Sequence, residues 1–299
     1  MSFAAQPTWV SFHYSSFLQI RKWSGTRPGI FHAENLSNVA GCQTTRMHKR
    51  GHNNRVGRKW KIEALSFERC GGSEEDDCDE KLAILHSIER ACVVACLRTN
   101  SAKLALEAAR AALDGGITML EVTMTTPGAT EVIKALVHEY PLAIIGAGTV
   151  LTMREAYEAR SAGARFLMSP VTTKEIVQAH NDCPVLFVPG AMTLTEVVNA
   201  YKFGAALVKL YPVTLVGGLQ FVKALKGLLR HIPVIASHGI RADMVESYLA
   251  EGAAGVVLSD AIFDRAAIES NDFQKIKERA SAIALMCNSF TTIQHSNLV

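Results

Sequence analysis

Residues 91–124 read ACVVACLRTNSAKLALEAARAALDGGITMLEVTM. The first seven, Ala91 to Leu97, form a short apolar run rich in β-branched residues, the composition of a strand covered on both faces. Ala102 to Leu113 follows with apolar positions at helical spacing. Asp114-Gly115-Gly116 then stops the helix and turns the chain, and Ile117 to Met124 is a second strand-like run. A strand, a helix and a strand within 34 residues make one unit of a parallel sheet.

Working outward, the same unit recurs. Six further runs follow: Leu142 to Gly148, Arg165 to Pro170, Pro184 to Gly190, Leu207 to Pro212, His231 to Ser237 and Gly255 to Asp260. Glycine turns close the helices between them, as in Ser161-Ala162-Gly163-Ala164 and Ala250-Glu251-Gly252-Ala253. Eight strand–helix units, about 22 residues apart, predict an α/β fold, a (β/α)8 TIM barrel over residues 82–265. A doubly wound open sheet would use fewer strands and carry a Gly-rich first βα turn, which is missing here.

The flanks differ from the core. The 299 residues are 48% apolar and 20% charged, which excludes wholesale disorder, and no uninterrupted apolar run reaches the length of a membrane span. The net charge of +3 hides a split. Residues 1–60 hold nine Lys/Arg and one acid, Glu34, for +8; the remainder holds 22 bases and 27 acids, for −5. An acid-poor, Ser- and Arg-rich segment without an apolar h-region, its first base at Arg21, reads as an organelle transit leader over residues 1–70. Its uncharged first twenty residues point to a plastid (the chloroplast stroma), with the mitochondrion as the alternative. The basic excess lies in this leader and not on a folded face, so no nucleic-acid partner is expected. The acidic run Ser73-Glu74-Glu75-Asp76-Asp77-Cys78-Asp79-Glu80 reads as a solvated linker within residues 71–81. Residues 266–299 form a C-terminal helix and tail, with Phe273, Ile276, Ala280 and Ala284-Leu285 at helical spacing, to cover the barrel or meet another subunit. Seven cysteines without repeated pairs argue for a reducing compartment, and Cys92 and Cys96 read as core packing rather than metal ligands.

In a parallel barrel, chemistry gathers at the C-terminal ends of the strands. Polar residues late in apolar strands are therefore the ones to question: Glu121, Thr149, the Pro189-Gly190 pair and Lys209. Lys209 stands inside Leu207-Val208-Lys209-Leu210-Tyr211-Pro212. Facing either the barrel or the helix layer it is poorly solvated, and burial pushes an ammonium toward the neutral amine. Schiff-base chemistry on a ketone requires that amine. A lysine snorkelling to water from the strand end is the other reading. Glu121 shares a strand face with Thr123 and Thr125; a buried carboxylate beside a lysine can shuttle protons, or simply form a structural ion pair.

These residues resemble the 2-keto-3-deoxy-6-phosphogluconate / 4-hydroxy-2-oxoglutarate aldolases. The matching motifs run in order: Gly115-Gly116-Ile117, Leu120-Glu121-Val122-Thr123, Gly146-Ala147-Gly148-Thr149-Val150, Ser169-Pro170, Val188-Pro189-Gly190 and Val208-Lys209-Leu210-Tyr211-Pro212. The resemblance covers about residues 82–265. It implies that Lys209 is the Schiff-base lysine and Glu121 the proton shuttle, with no metal and no cofactor beyond the covalent imine. It further implies Thr149 near the pyruvate carboxylate, Pro170 lining the substrate pocket and a basic residue at Arg98. Gly217-Gly218 follows the lysine strand as in the family, and Gly239 and Ser259 match positions that hold a distal phosphate. The implied partner is a small-molecule 2-keto acid, and family members are trimers, so a homo-oligomer is expected.

Three departures accompany the match. Thr125 stands where the family usually has an arginine that pairs with the substrate carboxylate, and a threonine brings no charge. In Ala236-Ser237-His238-Gly239, His238 replaces a glycine whose bare backbone approaches phosphate. Val257-Leu258 replaces a glycine pair before Ser259. The sequence therefore predicts a carbon–carbon lyase, a class I aldolase cleaving 2-keto-3-deoxy-6-phosphogluconate to pyruvate and glyceraldehyde 3-phosphate. Two alternatives stand beside it: the same chemistry on another 2-keto acid such as 4-hydroxy-2-oxoglutarate, and a barrel that has lost catalysis and serves as a binding protein.

Overall fold

The computed structural model describes residues 74–296; the leader assigned to residues 1–70 lies outside them. Among the described residues, nine parallel strands form one sheet in the order β5-β4-β3-β2-β1-β9-β8-β7-β6. They are β1 (Val93–Leu97), β2 (Met119–Thr123), β3 (Ile144–Gly148), β4 (Phe166–Met168), β5 (Leu186–Val188), β6 (Gly190–Ala191), β7 (Val208–Leu210), β8 (Val234–Ser237) and β9 (Gly255–Leu258). The two ends of that order, β5 and β6, are consecutive in the chain and separated only by Pro189. They are two halves of one barrel strand. The first half pairs with β4 from Phe166↔Leu186 to Met168↔Val188; the second pairs with β7 through Gly190↔Lys209 and Ala191↔Leu210. The Pro189 carbonyl accepts from the Lys209 amide at 2.8 Å. Proline supplies no N–H, so it suits the switch point between ladders. The eight expected strand runs are all present, and the ring they form is the predicted (β/α)8 barrel.

Helices alternate with the strands: α1 (Glu74–Ala91), α2 (Ala102–Asp114), α3 (Ala129–Glu139), α4 (Met153–Ser161), α5 (Lys174–Ala179), α6 (Leu194–Lys202), α7 (Gly218–Leu228), α8 (Val245–Ala250), α9 (Arg265–Glu269) and α10 (Phe273–Ser296). Local chemistry sets their limits. The Ser101 hydroxyl accepts from the Leu104 amide at the start of α2, and Gly115 and Gly116 take over at its end, where the Gly116 amide donates to the Leu113 carbonyl. Thr152 with Glu155, and Thr193 with Glu196, make reciprocal capping boxes on α4 and α6. Among the described residues, no helix is long and apolar enough to cross a membrane.

Strand alternation sorts the core into two clusters. Val93, Ala95, Leu120, Val122, Ala147, Val208 and Leu210 face the helices. Val94, Met119, Phe166, Met168, Leu186, Val188, Leu207, Ile235 and Val257 face inward, joined by Ile84 and Ile88 of α1. α1 therefore closes the barrel's N-terminal end, and this corrects the reading of residues 71–81 as a solvated linker. From Glu74 onward the acidic run is the opening of a helix. At the other terminus, α10 buries Ile276, Ala280, Ile283 and Cys287 and packs on α2, while Leu285 is exposed. The covering stripe thus runs through Ile283 and Cys287, not Leu285. Gly115 makes that contact: a β-carbon there would sit 2.7 Å from Ala280 Cβ.

Candidate active site

Inward-facing positions along each strand lead to the site. On β7 the helix-facing residues are Val208 and Leu210, so Lys209 points into the barrel. On β2 the same alternation sends Met119, Glu121 and Thr123 inward. Lys209 and Glu121 are 5% and 1% exposed, which removes the snorkelling reading. The Lys209 Nζ lies 3.4 Å from Glu121 Oε2 and 3.5 Å from Oε1. That is an ion pair, yet longer than the roughly 2.8 Å of a tight charge-assisted bond. The amine is held beside a proton acceptor without being locked to it. The Tyr211 ring, two residues along the lysine strand, has its centroid 5.8 Å from Nζ.

Small residues make this chamber. Gly148, on the neighbouring strand β3, carries the Glu121 carboxylate against its backbone: a β-carbon there would fall 1.6 Å from Oε1. Gly146 gives the same room to the Phe166 ring, at 2.5 Å. Gly190 lies against the Pro170 backbone, 2.3 Å from where its own β-carbon would stand, so Pro170 abuts the strand switch next to Lys209.

Above the pair, the mouth is polar. Arg98 continues the inward register of β1 and donates from Nη2 to the Thr149 hydroxyl at 3.3 Å. Thr149 is held at φ 57° and His238 at φ 87°, left-handed values that β-branched and bulky residues avoid. Each costs about 1 kcal/mol or more, and such strain gathers where function over-determines the backbone. The His238 Nδ1 lies 3.3 Å from the Thr214 hydroxyl, and its ring stands edge-on to Tyr211 with centroids 5.6 Å apart. Gly239 follows at φ 71°, and a β-carbon there would meet Thr214 Oγ1 at 2.4 Å. The loop thus keeps a glycine-like backbone in spite of its imidazole. Thr125 is exposed, its hydroxyl 3.1 Å from Thr123 Oγ1. Ser259 follows β9, and its carbonyl accepts from the amides of Ile262 and Phe263.

The structure brings Lys209 together with Glu121, and Arg98 together with Thr149. Gly239 and Ser259 sit on separate loops of the same face. One neighbour was missed: Cys96, whose backbone pairs with Glu121 across β1 and β2. The signal was strand parity, since positions 94, 96 and 98 share a face. Burial first, then the Glu121 carboxylate, raise the Cys96 thiol well above its ordinary pKa. Among the described residues, no group of three or more His, Cys, Asp or Glu side chains is arranged to hold a metal ion.

Residues 84–279 match the family model described as Aldolase: KDPG and KHG aldolase. A 2-dehydro-3-deoxy-phosphogluconate aldolase of Pseudoalteromonas atlantica is 34% identical over 188 residues, 63% of this chain and 87% of its own. The KHG/KDPG aldolase of Escherichia coli K12 is 30% identical over 59% of this chain and 83% of its own. Among solved structures, the KDPG aldolase of Legionella pneumophila, captured with pyruvate as a covalent carbinolamine, superposes with a TM-score of 0.62 at 29% identity, covering 67% of this chain and 97% of its own.

Proposed function

The chain belongs to the KDPG and KHG aldolase family, and from that premise we propose that it is a class I aldolase cleaving 2-keto-3-deoxy-6-phosphogluconate to pyruvate and glyceraldehyde 3-phosphate through an imine on Lys209. The observation that carries the reading is the buried Lys209–Glu121 pair, 3.4 Å apart inside a barrel. Lys209 Nζ attacks the C2 ketone; Glu121 takes the proton the amine loses and returns one to the departing hydroxyl, so water leaves and a protonated imine forms. Glu121, directly or through a water, then accepts the C4 hydroxyl proton. The C3–C4 bond breaks toward the imine, which becomes an enamine as the aldehyde departs. Protonation of the enamine at C3 and hydrolysis release pyruvate and restore the amine. No metal or further cofactor is needed.

Arg98, held by Thr149, brings a guanidinium to the mouth, and in this reading it meets the substrate carboxylate in place of the charge absent at Thr125. Pro170 lines the pocket, and Gly239 and Ser259 face the distal phosphate. A second reading takes the same chemistry to 4-hydroxy-2-oxoglutarate; His238, a side chain on the loop expected to read phosphate, favours it. We further propose a homo-oligomeric enzyme, a trimer, imported into a plastid by residues 1–70.

Borohydride tests the chemistry. Pyruvate and borohydride together should inactivate the enzyme and add one pyruvate-derived mass to the peptide holding Lys209. Lys209→Arg should abolish turnover and trapping, and Glu121→Gln should slow turnover by about 10²–10⁴-fold, the span of a lost acid–base group. Labelling of no lysine, or of another one, ends the class I reading. Turnover of 4-hydroxy-2-oxoglutarate in preference to the phosphorylated substrate would move the assignment to the second reading.

A further inference from the structure

His238 is a side chain at the mouth to which the imine chemistry gives no part. On β8, Ile235 faces inward while Val234 and Ala236 face the helices, so Ser237 is the last inward position and His238 opens the loop above it. Two contacts hold the imidazole. Its Nδ1 lies 3.3 Å from the Thr214 hydroxyl, and its ring stands edge-on to Tyr211, whose own ring centroid is 5.8 Å from Lys209 Nζ. Thr214 in turn closes against Gly239, where a β-carbon would fall 2.4 Å from its hydroxyl oxygen. Tyr211, Thr214, His238 and Gly239 thus line one continuous wall that starts at the lysine. His238 is exposed in this wall at a left-handed φ of 87°, a conformation that glycine would take without strain.

The place of the ring decides what it can meet. With β5 and β6 counted as one stave, β8 lies four staves from β3 in either direction around the barrel. Thr149 follows β3 and holds Arg98, so His238 stands across the mouth from that pair. A keto acid bonded to Lys209 with its C1 carboxylate on Arg98 therefore extends its aldehyde half toward His238. The loop's own guanidinium, Arg241, is paired with Asp243 at 2.6 Å, which leaves the imidazole as the basic side chain this loop can offer. A Thr214 hydroxyl that donates to Nδ1 keeps the ring proton on Nε2, the nitrogen turned away from Thr214. One ring N–H suits a carboxylate, which is planar and singly charged. A phosphate is tetrahedral and carries close to two charges. It is met best by several backbone amides at close range, an approach that a side chain at position 238 obstructs.

We propose that His238 is a specificity-determining residue: its imidazole, aimed by Thr214 and Tyr211, donates from Nε2 to the far end of the substrate and tilts the enzyme toward 2-keto acids whose aldehyde half ends in a carboxylate rather than a phosphate. The inference rests on the class I reading above and concerns the ratio between the two substrates, whichever of them turns over faster. Because the backbone at 238 already has a glycine-like angle, His238→Gly removes the ring without asking the loop to move.

The experiment is steady-state cleavage of 4-hydroxy-2-oxoglutarate and of 2-keto-3-deoxy-6-phosphogluconate by the wild type, His238→Gly, His238→Asn and Thr214→Val. Borohydride trapping of pyruvate at Lys209 in each reports an intact fold and amine. His238→Gly should raise KM for 4-hydroxy-2-oxoglutarate by about 5–10-fold and lower KM for the phosphorylated substrate, with kcat for each changed less. His238→Asn keeps an N–H donor and accepts a left-handed backbone, so it should hold the wild-type order of preference. Thr214→Val keeps the shape of the wall but frees the ring, and should raise KM for 4-hydroxy-2-oxoglutarate more than for the phosphorylated substrate. Equal changes for both substrates in His238→Gly, or no change in either, would overturn the inference and leave the aldolase reading intact. A wild type that traps pyruvate but leaves 4-hydroxy-2-oxoglutarate uncleaved would do the same. A wild type that traps no pyruvate would overturn both.

Discussion

A methyl group added at Gly148 would land 1.6 Å from Glu121 Oε1, so the position of one carboxylate depends on the absence of one side chain. Gly148→Ala should push Glu121 off its line to Lys209 and lower kcat by about 10²-fold, the effect of roughly 1 Å of misplacement. The proposed nucleophile is untouched, so pyruvate trapping at Lys209 should persist. A Gly148→Ala enzyme with unchanged kcat would show that Glu121 is not the proton shuttle. Legibility at this scale followed polarity. Lys209 and Glu121 stood out because a charge inside an apolar strand needs a reason. Cys96 did not, since a thiol in the run Val93 to Leu97 is indistinguishable from apolar packing until the barrel shows which side it faces. The strain at Thr149 and His238 was equally hidden, because a backbone angle leaves no mark on a residue's identity.

Among the elements, α1 was misread, and the reason is physical. Its first residues are acidic, which suits a helix N-terminus as well as it suits solvent, and its two core-facing residues, Ile84 and Ile88, are too few to announce a helix by themselves. What they do announce, once the barrel is present, is a stopper. Ile88 is 1% exposed within the inward-facing cluster. Ile88→Ala should cost about 2–5 kcal/mol, which lowers Tm by roughly 5–15 °C for a domain of this size. Leu142 is 96% exposed, and Leu142→Ala should stay within about 0.5 kcal/mol of wild type. Thermal unfolding followed by circular dichroism checks both, and equal Tm values for the pair would remove α1 from the core. The strands, by contrast, were readable to within a residue or three, because strands buried on both faces are apolar throughout. The fifth was read as one run, Pro184 to Gly190; only sheet pairing reveals that Pro189 divides it.

For the molecule as a whole, the charge split separates residues 1–60 from the rest of the chain. Nine bases and one acid in residues 1–60, set before a barrel whose own balance is acidic, lead us to expect plastid import. A fluorescent reporter carrying residues 1–75 should accumulate in chloroplasts and lose the segment, and a diffuse cytosolic signal would refute the address. The barrel itself was legible from repetition alone, since eight similar units leave few alternatives. Substrate preference was not, because it rests on loop geometry around His238 and Arg98 that repetition does not encode.

The strand broken at Pro189 gives the ring a clasp. Most neighbouring staves share a ladder of three to five residues, but two junctions rest on two register pairs each: β3 with β4, and the fifth stave with β7 through Gly190↔Lys209 and Ala191↔Leu210. A hoop parts where its fastening is shortest, and the lowest-energy openings of a fold lie where the fewest backbone bonds must break. Lys209, the proposed nucleophile, is thus mounted on one of these two short fastenings. Any molecule bonded to Lys209 and gripped by the rest of the chamber would tie the two sides of the clasp together, so on the proposed chemistry a bound keto acid would double as a rivet for the whole ring.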